Sequence, residues 1–191
     1  MDIKLMIQST PNPNALKFVV NTPVKTEGNV TYKNAGDCAD NPLAKAIFGL
    51  NSAIKEVYFF DNYITVTQDG SADWDELEGK IKATVLEKVP AHNPKFKVPE
   101  LKTQSTIKEA SSDNPDVAQI NAILDDTVRP ALQMDGGDLK VIDYQNNVLK
   151  IHYQGACGSC PSSSMGTMMA IENILKDQFN PNISVQLAEA V

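Results

Sequence analysis

The chain is poor in several things, and each shortage removes a class of explanation. Three cysteines in 191 residues are too few for a disulfide scaffold. There is one arginine, Arg129, and the net charge is −7, with a pI near 4.8. A protein that grips a nucleic-acid backbone or an anionic membrane shows a basic face instead. No apolar run approaches the ~18 residues of a membrane-spanning helix. The first residues, Met-Asp-Ile-Lys-Leu-Met, lack both the basic-then-apolar pattern of a secretory signal and the Arg-rich character of a transit peptide. From this start the expected location is cytoplasmic, with no nucleic-acid and no membrane partner. In a reduced compartment, a close cysteine pair points to metal or redox chemistry.

At ~100–200 residues per domain, the length suits one large domain or two small ones. Proline settles the choice, because four of the eleven lie at 90, 94, 99 and 115. Residues 91–115 have few apolar side chains and no steady period, so they cannot bury enough surface to offset their ordering entropy. They read as a linker between a domain at residues 1–90 and another at 116–191. Charge divides accordingly: nine basic against twelve acidic residues, then four against three, then four against nine.

The first domain reads as α+β, an antiparallel sheet with two helices. Ile3, Leu5 and Ile7 alternate with polar neighbours. Thr10-Pro11-Asn12-Pro13-Asn14 is a turn, and residues 15–20 form the next strand. A third strand lies near residues 30–32. Asn41-Pro42 marks a helix start, followed by an apolar face at Leu43, Ala46, Ile47 and Leu50. Residues 54–60 and 63–67 flank Asp61-Asn62 as a hairpin. Asp73 with Glu76 has the form of a capping box. Trp74, Leu77, Ile81 and Val85 continue that helix until Pro90.

The second domain reads α-β-β-α-β. Val117, Ile120, Leu124 and Val128 keep helical spacing, and Pro130 kinks or ends the helix. Asp135-Gly136-Gly137-Asp138 is a turn with Asp bonding backbone amides, not a calcium loop, which needs a longer series of oxygen ligands. Residues 139–144 and 148–153 form a hairpin about Gln145-Asn146-Asn147. A serine at 162–164 caps the helix running to about Phe179, and Ile183, Val185 and Leu187 make a last strand. A small sheet with helices on one face is the economical packing.

Chemistry concentrates at Cys157 and Cys160, a Cys-x-x-Cys loop between a strand and a helix. Gly155 and Gly158 let backbone amides approach sulfur. The helix N-terminus that follows favours thiolate. Three readings fit: a cycling dithiol, half of a zinc site bridging two chains, or half of the ligand set of an iron–sulfur cluster. Thioredoxin-like sites flank the pair with an aromatic residue and follow another strand order. A zinc site lacks a second pair, with His152 the one histidine of this half. A cluster wants four thiolates, so two chains must meet on a twofold axis.

Other residues draw plainer readings. Cys38 reads as a small buried thiol, Arg129 as a partner of Asp125 or Asp126, and His152 as solvent-exposed. Met165, Met168 and Met169 read as core or dimer contacts. His92, in the linker, draws no role. No phosphate loop, nucleophile elbow or metalloprotease helix is present, so no enzymatic activity is expected.

Residues 128–138, Val-Arg-Pro-Ala-Leu-Gln-Met-Asp-Gly-Gly-Asp, and 155–163, Gly-Ala-Cys-Gly-Ser-Cys-Pro-Ser-Ser, together resemble the NifU C-terminal (Nfu) domain. The first half resembles the Nfu N-terminal domain through residues 10–18, Asn41-Pro42-Leu43-Ala44 and residues 63–67. The two matches cover nearly all of the chain outside the linker. Gly166-Thr167-Met168 departs from the more β-branched run of many relatives. The resemblance implies a non-enzymatic carrier of an iron–sulfur cluster, usually 4Fe–4S with 2Fe–2S open, held between two subunits by Cys157 and Cys160 of each. It implies a homodimer when loaded, an upstream cluster scaffold as donor and apo-proteins as recipients, with the first domain assisting contact with partners. A cluster held by two thiolates per chain is released when the dimer opens or partner thiols compete, so transfer needs no catalytic base.

Overall fold

A computed structural model describes residues 2–97, 114–158 and 163–188. The chain divides into two compact units, Met1–Glu100 and Leu101–Val191, with the mixed α+β architecture read from the sequence.

The first unit is a five-stranded antiparallel sheet. Its strands are β1 (Leu5–Ser9), β2 (Ala15–Val20), β3 (Lys25–Tyr32), β4 (Ile54–Asp61) and β5 (Tyr63–Gln68), in the order β1-β2-β5-β4-β3. Helices α1 (Pro42–Phe48) and α2 (Trp74–Lys88) pack with it. Local chemistry sets each boundary. The β1–β2 turn is closed by Asn12, whose Oδ1 accepts from Asn14 N at 2.9 Å. Asn41 caps α1 by accepting from Ala44 N at 3.1 Å. Asp73 caps α2 by accepting from Asp75 N at 2.9 Å. Phe18, Val57, Phe59, Ile64, Ile81 and Val85 are fully buried in the core, each contributing about 1.5–3 kcal/mol by leaving water.

Two features differ from expectation. Strand β3 begins at Lys25, with a register shift before Asn29 and Gly28 at φ 63. The irregular half shows no alternation, so sequence periodicity captured only its regular end. Packing also continues past Pro90. Val89–Ala91 form a 3-10 turn, and residues 92–97 lie against the sheet. His92 Nε2 donates to Val24 O at 2.8 Å, and its ring stacks on Phe59. Thr26 N donates to Pro94 O at 3.0 Å. Phe96 is buried, and the Lys25 ammonium sits 4.9 Å from its ring centroid. Two aromatic rings are enough to hold a segment whose composition reads as linker.

The second unit begins with α3 (Pro115–Thr127), capped by Asn114, which accepts from Asp116 N at 3.0 Å. Pro130 starts a separate short helix, α4 (Arg129–Met134). A hairpin follows, β6 (Gly137–Gln145) and β7 (Val148–Gly155), turned by Asn146 and Asn147, both at positive φ. Helix α5 (Ser163–Gln178) leads to β8 (Ser184–Leu187), which pairs with β7 in parallel. Ile120, Leu124, Leu139, Leu149, Ile151, Ile171 and Leu175 form the core between helices and sheet. Glu172 Oε2 accepts from Val185 N at 2.9 Å and ties α5 to β8.

Candidate functional site

The site forms where both strands of the hairpin reach the same end of the sheet. Gly137 opens β6 and pairs across the ladder with Gly155, which closes β7. Beyond Gly155, at φ 61, the chain turns through Ala156, Cys157 and Gly158. Gly158 N donates to Gly155 O at 3.0 Å, and Ala156 N donates to Gly136 O at 3.2 Å. The cysteine turn is therefore stitched to the Gly136-Gly137 turn by backbone bonds.

Cys157 is 6% exposed and belongs to the unit's hydrophobic core, with Tyr153 as a neighbour. A Cβ built on Gly137 would lie 2.5 Å from Cys157 Sγ and 2.7 Å from Gln154 O. Only glycine permits that approach. The Tyr153 hydroxyl is buried and has no hydrogen-bond partner among the described residues. Burial first, and the neighbouring Cys157 second, push its phenol above the ordinary tyrosine value. The site thus offers a shielded sulfur, an uncommitted O–H donor beside it and a glycine floor.

Arg129 and Asp138 build the floor's support. Asp138, 3% exposed, accepts from Leu139 N at 2.7 Å and from Gln133 Nε2 at 3.4 Å. Arg129 Nε lies 3.5 Å from its carboxylate and donates to Leu139 O at 3.4 Å. The other guanidinium nitrogens donate to Asp125 and, at 2.8 Å, to Asn121 Oδ1. One side chain therefore joins α3, α4 and β6 just where β6 starts. The Asp125 partnership follows from the i, i+4 spacing. The buried Asp138 partnership does not, because it depends on how α4 turns back onto the strand.

Of the residues singled out from sequence, Cys157 takes its place at this end of the sheet, while Cys160 lies outside the described residues. Cys38 belongs to the first unit, buried, with Sγ donating to Asn34 O at 3.3 Å. His152 is half-buried on β7, in register with Lys140, rather than fully solvent-exposed. Met168 packs against the core, whereas Met165 and Met169 are 72% and 61% exposed. Gly137 and Tyr153 were missed as site residues. The doubled glycine after Asp135 is the signal for the first: a turn needs one positive-φ glycine, here Gly136 at φ 83, which leaves the second to a close contact. Among the described residues, no three of His, Cys, Asp and Glu come together to hold a metal ion.

Comparison with known proteins bears on both units. A family model described as "Scaffold protein Nfu/NifU N terminal" matches residues 5–92, and one described as "NifU-like domain" matches residues 120–186. The chain is 34% identical over 173 residues to NifU-like protein 4, mitochondrial, of Arabidopsis thaliana, a match covering 90% of this chain and 61% of that one. It is 34% identical over 176 residues to the NFU1 iron-sulfur cluster scaffold homolog, mitochondrial, of Homo sapiens, covering 90% and 66%. The chain spans about three-fifths of the length of the Arabidopsis relative. A solution NMR structure of a NifU-like protein from Saccharomyces cerevisiae aligns with TM-score 0.44 and 23% identity, over 47% of this chain and 80% of that one.

These relatives overturn one expectation. They are named as mitochondrial proteins, so the cytoplasmic location inferred from the first six residues does not stand. The composition of a short leading stretch carries no information about compartment when relatives extend well beyond the matched region.

Proposed function

The chain belongs to the Nfu family, and from that premise we propose that it is an iron–sulfur cluster carrier, with Cys157 and Cys160 as its ligands. The cluster is cargo, bridged between two copies of the chain and passed on to apo-proteins. It is of the 4Fe–4S type, and the chain performs no turnover chemistry of its own. The observation that carries this reading is the Cys157 turn. It presents the first sulfur of a Cys-x-x-Cys pair against Gly137, where any side chain would overlap both that sulfur and the backbone of Gln154 and Cys157. Two thiolates per chain, with no further metal-binding group assembled among the described residues, favour a ligand set completed by a second chain. The relatives named as iron–sulfur scaffolds lend support. A cycling dithiol needs an exposed attacking sulfur, and the burial of Cys157 counts against it.

Native mass spectrometry after anaerobic reconstitution with ferrous iron and sulfide tests the proposal. The expected species is a dimer heavier than two chains by one 4Fe–4S unit. A monomer carrying zinc, or one carrying a Cys157–Cys160 disulfide and no iron, overturns it.

A further inference from the structure

Helix α5 begins three residues after Cys160 and presents two different faces. One face packs Met168, Ile171 and Leu175 into the core. The other carries Met165 and Met169, one turn apart and among the most exposed large apolar residues described. From Met165 to Ile171 there is no charged residue; the first is Glu172. Met134, 75% exposed, ends α4 three residues before Gly137 and so belongs to the same end of the sheet as Cys157.

Gly166 lies on the outward face as well. A Cβ there would meet nothing within 4 Å among the described residues, and no positive φ calls for glycine. A glycine inside a helix sacrifices helix propensity, and nothing among the described residues repays that loss. A surface approaching from outside would. Ala170, one turn on, is the next small residue.

We propose that this face of α5 (Met165, Gly166, Met169 and Ala170) is where a second copy of the chain docks when the two share a cluster. The inference rests on the carrier reading above. The occupant follows from the ligand count. One chain supplies two thiolates, and whichever chain brings the other two must abut the first turns of the helix that leaves the cysteine loop. Around a twofold axis each residue near the axis meets its own counterpart. An uncharged Met, Gly and Ala face is compatible with itself in that arrangement, whereas a charged one is not. Four residues fall well short of the roughly 800 Å² per partner that a stable interface buries. The face by itself does not hold a permanent dimer, and the shared cargo supplies the remainder. Assembly is therefore coupled to loading.

The test uses the full chain, reconstituted anaerobically with ferrous iron and sulfide and read by native mass spectrometry. Met169→Glu and Met169→Lys are each expected to lower the yield of cluster-bearing dimer by about tenfold or more, because like charges meet across the axis. Their melting temperatures should stay at the wild-type value. Mixed in equal amounts, the two variants are expected to recover the loaded dimer, mainly as the mixed pair. Met6→Glu, at a comparably exposed methionine of the other unit, should load like wild type. Wild-type yields for both charged variants would overturn the docking face, and continued loss of the cluster in Cys157→Ser would show that the carrier reading survives it. Wild-type protein that loads no bridged dimer would overturn both.

Discussion

Gly137 and Cys157 are in contact across the mouth of the β6–β7 hairpin, so close that the smallest side chain on the glycine would overlap the sulfur at 2.5 Å. The same side chain would meet Gln154 O and Cys157 N at 2.7 and 2.9 Å. Two of these three neighbours are backbone and cannot swing away. Gly137→Ala is therefore expected to destabilise the second unit by about 1–3 kcal/mol, the usual range for overpacking. It should also displace the cysteine turn. Chemical denaturation together with thiol-labelling rates checks both, and an Ala variant with wild-type stability and labelling would refute the contact.

Cys157→Ser separates ligation from folding. Serine keeps the shape but buries a more polar hydroxyl in place of the thiol, at a cost of roughly 1–3 kcal/mol. The variant should melt earlier yet still fold, and it should retain no cluster after reconstitution. Cys160→Ser should lose the cluster too. Absorbance near the sulfur-to-iron charge-transfer bands, read beside circular dichroism, distinguishes the two effects.

Removing Arg129 leaves the Asp138 carboxylate buried without its cationic neighbour. Breaking a buried pair by deleting one partner costs about 3–5 kcal/mol. Asp138 keeps its bond from Leu139 N, so Arg129→Met is expected at the lower end. Arg129→Met with Asp138→Asn should recover part of the loss, because the uncompensated charge is gone. A denaturant double-mutant cycle measures the coupling.

His92 makes the first unit sensitive to mild acid. Its pKa is lowered by burial, against the opposing bond to Val24 O. Above about pH 6.5, the ordinary histidine value, the ring is neutral in both the folded and unfolded chain. Below it the unfolded chain takes up a proton that the folded one resists, so stability falls from there down to the depressed folded value. His92→Gln should flatten this dependence. Melting curves of the wild type and the variant between pH 7.5 and 5.5 would decide, and parallel slopes would remove His92 from the account.

Much of this architecture was legible because its boundaries are local. Asn41-Pro42, Asp73 and Pro130 act within one helical turn, and each sits where that chemistry puts it. The apolar faces of α2 and α3 were visible for the same reason. The pair Cys157 and Cys160 stood out through spacing. What stayed hidden depends on distance along the chain. His92 and Phe96 find their shared ring partner, Phe59, more than thirty residues upstream in β4, the first stacked and the second edge-on. The Arg129–Asp138 pair requires α4 to fold back, and the role of Gly137 appears only once Cys157 is brought to it from across the hairpin. The parallel direction of β8 likewise follows from the α5 crossover rather than from the alternation of its residues.

That crossover has a kinetic consequence. The cysteine turn lies inside the loop joining β7 to β8, and Val148 meets Ser184 only after that loop has closed. Hairpin pairing between β6 and β7 is local and fast, while the parallel pairing waits on long-range closure. The sulfur of Cys157 is thus delivered early to Gly137 by the hairpin, and the helix that follows it is secured late. Contact order therefore predicts that the thiol reaches Gly137 before β8 ties down the neighbouring helix, an order that pulsed thiol labelling during refolding would read.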